Sequence, residues 1–148
     1  MLTQIEKEPS EKIRAAIIDM SKRESPEIIE NFIRIGVEDE SGFVRAAAMR
    51  AIGRLSDSNF HDALKEGLKD GTPMTRQFAA RSIGWIKAKG ISDHLLPLLQ
   101  DDDDSVRYHA YYSLKKLDPK RAKEEAPKLI KDADSRVARI ARKLLESP

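Results

Sequence analysis

Residues 106–110 read VRYHA, and the same cadence returns along the chain as IRAAI at 13–17, VRAAA at 44–48, TRQFA at 75–79 and VARIA at 137–141. A shift of 31 residues superimposes all of these segments without a gap. A period of this size marks repeated supersecondary units, each too small to bury its own apolar side, which must stack to make a core. The same shift aligns Asp39, Asp70, Asp101 and Asp132, and it aligns Arg14, Arg45, Arg76 and Arg107, with Ala138 breaking the last series. Ahead of each segment stands Ser10, Ser41, Thr72, Asp103 or Asp134. Side-chain oxygens of these types accept an N–H of a first helical turn, so each predicts a helix start.

Behind each start, apolar residues fall on one helical face: Val44, Ala48, Ala51, Ile52 and Leu55; then Thr75, Ala79, Ser82, Ile83 and Ile86; then Val106, Ala110, Ser113, Leu114 and Leu117. The small residues at mid-stripe predict close approach between neighbouring helices. A shorter helix is expected between the long ones, announced by Ser25-Pro26 and Asp118-Pro119. Its stripe reads Ile29, Phe32, Ile33 and Val37, then Phe60, Ala63, Leu64 and Leu68, then Ile91, Leu95, Leu98 and Leu99, then Ala126, Leu129 and Ile130. Pro97 and Pro127 should bend or shorten their helices. No alternating stretch is long enough for a strand. The expected fold is one all-α domain over residues 1–148, an α-solenoid of about five 31-residue helix-turn-helix units. They fall at about 2–23 (partial), 25–55, 57–87, 89–117 and 119–146. The first short helix would be a stub around Leu2 and Ile5, and the polar Arg139, Arg142 and Lys143 suit the outer side of an end unit.

Composition narrows the function classes. No run of about 18 apolar residues is available to cross a bilayer, the start MLTQIEKEPSEKIR lacks the pattern of a signal peptide, and there is no cysteine for disulfides. A cytoplasmic, monomeric protein without membrane contact is expected. Charged residues make up 35% of the chain yet net only +2. That balance hides a segregation: residues 11–23, 42–55, 74–89, 104–117 and 134–146 together carry +13, leaving −11 elsewhere.

The pattern L-x-x-L-x-D-x-[DES]-x-x-V-R-x-x-A-x-x-[AS]-[IL], seen in LLPLLQDDDDSVRYHAYYSL (95–114) and ALKEGLKDGTPMTRQFAARSI (63–83), resembles HEAT repeats, in particular the short phycobilisome-lyase-like (PBS lyase) kind. The resemblance covers nearly the whole chain. It implies a right-handed superhelix with the second helix of each unit lining the concave side. It also implies a ladder of charges between repeats, in which Asp39, Asp70 and Asp101 serve with Arg45, Arg76 and Arg107, each pair six positions apart. Ala138 would leave Asp132 without its local partner.

The acidic run 101–104 then divides into a ladder residue, Asp101, a helix cap, Asp103, and two carboxylates, Asp102 and Asp104, favoured by the dipole of the helix they precede or begin. It lacks the glycine bend and closing acidic ligand of a calcium loop. His61, His94 and His109 share no repeat position and none adjoins a glutamate, the pairing that iron-binding HEAT-like hydroxylases use. No phosphate loop, nucleophile elbow or H-E-x-x-H segment is present. No catalytic residue, metal ligand or cofactor is therefore assigned.

What remains is the outward side of the longer helices, found by stepping about 100° per residue from the buried stripe. It reads Ala46, Met49, Arg50, Gly53 and Arg54; Gln77, Ala80, Arg81, Gly84 and Trp85; Tyr108, Tyr111, Tyr112, Lys115 and Lys116; then Arg139, Arg142 and Lys143. Every tyrosine and the sole tryptophan fall there. Removing Arg45, Arg76 and Arg107 to the ladder still leaves +10 on these helices. Aromatic residues and arginine combine contact area with a polar handle, as binding hot spots do. The candidate partner-binding set is Arg50, Arg54, Arg81, Trp85, Tyr108, Tyr111, Tyr112, Lys115, Lys116, Arg139, Arg142 and Lys143. Met49, Trp85 and Tyr111 have a second possible place, in the gaps between units. The leading reading is a non-catalytic scaffold that holds an acidic or extended segment of another protein. Nucleic-acid binding, as in HEAT-like DNA glycosylases, ranks second, and a bilin lyase or its accessory subunit third.

Overall fold

The computed structural model describes residues 11–20 and 24–147, so the expected cap Ser10 and the stub around Leu2 and Ile5 lie outside the described residues. Among the described residues all regular structure is helical: α1 (Glu11–Met20), α2 (Pro26–Val37), α3 (Gly42–Leu55), a short 3-10 turn (Ser58–Phe60) running into α4 (His61–Gly67), α5 (Pro73–Trp85), a 3-10 helix (Lys89–Gln100), α6 (Asp104–Leu117), α7 (Pro119–Leu129) and α8 (Ser135–Glu146).

The helices start where their caps direct. Ser41 Oγ accepts from Phe43 N at 3.2 Å, Asp103 from Val106 N at 3.0 Å and Asp134 from Arg136 N at 2.7 Å. Thr72 departs from the expectation: its side chain accepts no first-turn amide, and Arg45 Nη2 approaches its Oγ1 at 3.4 Å instead. Pro73, with φ already near the helical value, begins α5 in its stead. Pro97 lies within a segment wound as 3-10 helix throughout, and Pro127 falls two residues before the end of α7. The chain leaves α3 and α5 through left-handed residues at one repeat position, Ser56 (φ 58°) and Lys87 (φ 55°). Asp118, at the same position after α6, is extended (φ −141°) because Pro119 follows and excludes the compact conformations.

α1, α3, α5, α6 and α8 pack in series, and each shorter helix lies against the long helix of its own unit and the one before. This is an all-α solenoid. One apolar core runs unbroken from Ala15 and Ile18 to Ile140 and Leu144. The long helices come close at Gly53 and Gly84, where an added Cβ would overlap Ser82 Oγ and Ser113 Oγ of the next unit. The polar members of the stripe are satisfied across the same seam: Thr75 donates to Gly42 O at 2.9 Å and Ser82 to Met49 O at 2.8 Å.

The charge ladder corrects the expected pairing. Each arginine reaches the aspartate 25 positions ahead, in the next turn, through two parallel bonds. Nε and Nη2 donate at 2.7 and 2.9 Å for Arg14 to Asp39, 2.6 and 2.9 Å for Arg45 to Asp70, 2.7 and 2.9 Å for Arg76 to Asp101, and 2.9 and 3.0 Å for Arg107 to Asp132. The aspartate six positions back supplies only its backbone carbonyl, which accepts from Nη1 at 2.8, 2.8 and 2.9 Å for Arg45, Arg76 and Arg107. The rigid guanidinium fork binds its own turn with one corner and the next with its opposite edge. Asp132 thus keeps a partner despite Ala138, and Arg14 with Asp39 forms a rung that the six-residue pairing had not foreseen. Burial opposes the charge on Asp39, Asp70 and Asp101, but the arginine bonds and a backbone N–H two residues on outweigh it, so all three pKa values lie below the ordinary 3.8.

Candidate partner-binding groove

On the outward side of α3, α5, α6 and α8, stacking leaves a row spaced i, i+4 that is half-buried at Arg50, Gln77, Arg81 and Tyr108 and exposed at Arg54, Trp85, Tyr112, Lys116, Arg139 and Lys143. The row one position over is buried. Ala46, Met49 and Ala80 are at most 2% exposed, and Gly53 and Gly84 are also covered, so the outward strip is narrower than the sequence suggested. Tyr111 must be withdrawn from the binding set: it is fully buried, its hydroxyl donates to Ala122 O at 3.0 Å, and it joins α6 to α7. Burial, with Glu125 nearby, raises its phenol pKa to about 12. Arg142 occupies the repeat position of Tyr111 but, with no described unit beyond α8, it is exposed and donates to Ile130 O at 3.2 Å. Lys115 is half-buried.

Part of the predicted set converges. Arg81, Trp85, Tyr108, Tyr112 and Lys116 line a cleft of about 400 Å³ together with Gly84, Ser113, His109 and Arg136. The Arg81 guanidinium lies 4.2 Å from the Trp85 ring centre and Lys116 Nζ 5.9 Å from that of Tyr112. Tyr108 stands edge-on to His109 at 5.0 Å and tilted against Tyr112 at 5.9 Å. Arg50 lies apart, its guanidinium 5.0 Å from the ring centre of Phe78. Arg54, Arg139, Arg142, Lys143 and Lys115 do not line the cleft.

Four lining residues were absent from the sequence-derived binding set: Gly84 and Ser113, which form the close helix contact, and the titratable Arg136 and His109. Arg136, in the first turn of α8, reaches back to sit 4.4 Å over the Tyr108 ring while bound to Asp134 at 2.6 Å. His109, given no ligand role by the sequence, forms part of the wall. The repeat carried no signal for Arg136, since its equivalents Phe43, Met74 and Ser105 are uncharged.

The HEAT repeats family model matches residues 61–146, and the PBS lyase HEAT-like repeat model matches residues 44–70. The chain belongs to the HEAT-repeat family. No curated protein matches it. HEAT repeats generally mediate protein–protein interaction and are typically non-catalytic. Among the described residues of this HEAT-repeat protein, no helix is long and apolar enough to cross a membrane.

His109 gives the HEAT-repeat groove a pH signature. Burial, reinforced by the positive charges of Arg81 and Arg136, lowers its pKa from 6.5 to about 4. Between those values the unfolded chain binds this proton and the folded chain does not, so acidification favours unfolding. The melting temperature should fall as pH drops from 6.5 to 4, and His109→Gln should remove that component. Below about 3.8 a second loss should follow in both proteins as the ladder carboxylates protonate. Parallel curves for the two proteins from pH 7 to 4 would contradict the assignment to His109.

Proposed function

We propose that this HEAT-repeat protein is a non-catalytic scaffold whose basic, aromatic groove holds an acidic or extended segment of another protein. The observation that carries the reading is the pairing of cations with exposed rings: Arg81 over Trp85 and Lys116 over Tyr112, with both rings 43% exposed. Rings of this kind supply contact area, and the cations stacked on them supply orientation and steering.

Trp85→Ala combined with Tyr112→Ala tests it. Tyr108 is the poorer choice, since part of its ring packs on the core. The double variant should retain its melting temperature within a few degrees and lose at least about tenfold in capture of a partner protein, a difference of about 1.4 kcal/mol. Capture would be measured from a lysate of the source organism after nuclease treatment, at two salt concentrations. Material that disappears with nuclease, or that weakens steeply with salt regardless of sequence, would instead be nucleic acid.

A further inference from the structure

The cleft between α5, α6 and α8 is built more selectively than a basic surface needs to be. Its polar groups come from helix bodies, apart from Arg136 in a first turn, whose backbone N–H donates to the Asp134 cap, so anion recognition falls to side chains. Arg136 is neutralised by Asp134 through three short contacts, at 3.1, 3.1 and 2.6 Å. Among the described residues, no carboxylate pairs with Arg81 or Lys116. Those two charges stand on adjacent helices, each against its own exposed ring. His109 lines the same cleft, held neutral by burial and by the positive charges of Arg81 and Arg136. No carboxylate lines the wall. At about 400 Å³ the cleft lies near the small end of ligand pockets, which run from about 300 to 1,000 Å³, and suits a few side chains rather than a polymer backbone.

Building on the scaffold reading above, we infer that this cleft binds a short peptide segment of acid–apolar–acid pattern, one carboxylate on Arg81, the other on Lys116, and the apolar side chain between Trp85 and Tyr112. Guanidinium and carboxylate match as planar partners, and the Arg81 guanidinium is held over the indole with its centre 4.2 Å from the ring centre. The rings give the intervening side chain an apolar seat that a phosphodiester chain would leave empty.

Trp85 is the single tryptophan of the chain, so its fluorescence reports on this cleft directly. The probe is the capped peptide acetyl-Gly-Glu-Phe-Glu-Gly-amide, titrated into the full chain with excitation selective for tryptophan. The expected result is a saturable change that weakens at least about tenfold in each of three controls: Gln for both Glu, Ala for Phe, and the protein variant Arg81→Gln, whose fold is checked by its melting curve. The assignment is overturned if the peptide gives no saturable change, if the Gln peptide binds as well as the Glu peptide, or if inorganic phosphate at equal concentration displaces it. If the peptide fails while Trp85→Ala with Tyr112→Ala still abolishes capture of a protein partner, this pocket assignment falls and the scaffold reading stands. If both fail, both fall.

Discussion

Tyr111→Ala lowers the stability of the protein by about 3 to 5 kcal/mol in urea denaturation, whereas Tyr111→Phe lowers it by about 1 kcal/mol. The ring is fully buried where α6 meets α7, and it is the largest of the completely covered side chains. Truncation to alanine removes the ring's packing and leaves a cavity that surrounding helices cannot close, because each is held by neighbours on both sides. The phenylalanine variant keeps the packing and loses only the bond to Ala122 O, leaving that carbonyl buried without this donor. Because the damage sits at one seam, the alanine variant should also show early loss of the unit formed by α7 and α8, visible as a broadened transition or as amide exchange confined to residues 119–146. An alanine variant as stable as the original would return Tyr111 to the surface strip.

Asp70→Ala costs about 2 to 4 kcal/mol by thermal or urea melting at pH 7. Asp70 accepts two bonds from Arg45, at 2.6 and 2.9 Å, and one from Thr72 N at 2.8 Å, with its side chain only 12% exposed. Its removal strands a guanidinium whose other corner remains tied to Asp39 O, and breaks the tie between two consecutive turns. The comparison is Glu66→Ala, which cuts a pair between the exposed side chains of Glu66 on α4 and Lys69 in the turn that follows, and should change stability by less than about 0.5 kcal/mol. The Asp70 effect should shrink as pH falls below about 3.8, because the carboxylate then protonates and its advantage is lost in the original protein too. Equal effects of the two substitutions would mean that the ladder is no more than surface charge.

The periodic residues explain why so much of the fold was legible. Val44, Ala48 and Ile52, with their copies 31 residues on, specify which side of each long helix is buried, and local capping by Ser41, Asp103 and Asp134 specifies where helices begin. Thr72 makes no cap bond; its hydroxyl meets Arg45 of the preceding unit, a contact no local pattern contains. The ladder was legible in its residue types but not in its pairing. Spacing along the chain favoured the aspartate six residues back, while stacking brings the one 25 residues ahead to the edge of the guanidinium.

The same distinction runs through the candidate groove. Helical periodicity placed Arg81, Trp85, Tyr112 and Lys116 on the outward side, and they line one cleft. It placed Tyr111 there as well, one position around the helix, where the adjoining unit covers it. Arg136 enters the cleft because α8 packs beside α6, and His109 joins the wall from α6 itself, half-buried beside Tyr108. By itself the sequence determined the repeat, the helix starts, the buried face and the residue types of the ladder, since each follows from chemistry within a few residues of the backbone. Tertiary structure alone decided which repeat each arginine grips and which aromatic rings remain exposed, because both depend on the distance and rotation between neighbouring units, and those are set by how closely Gly53 and Gly84 let the helices approach.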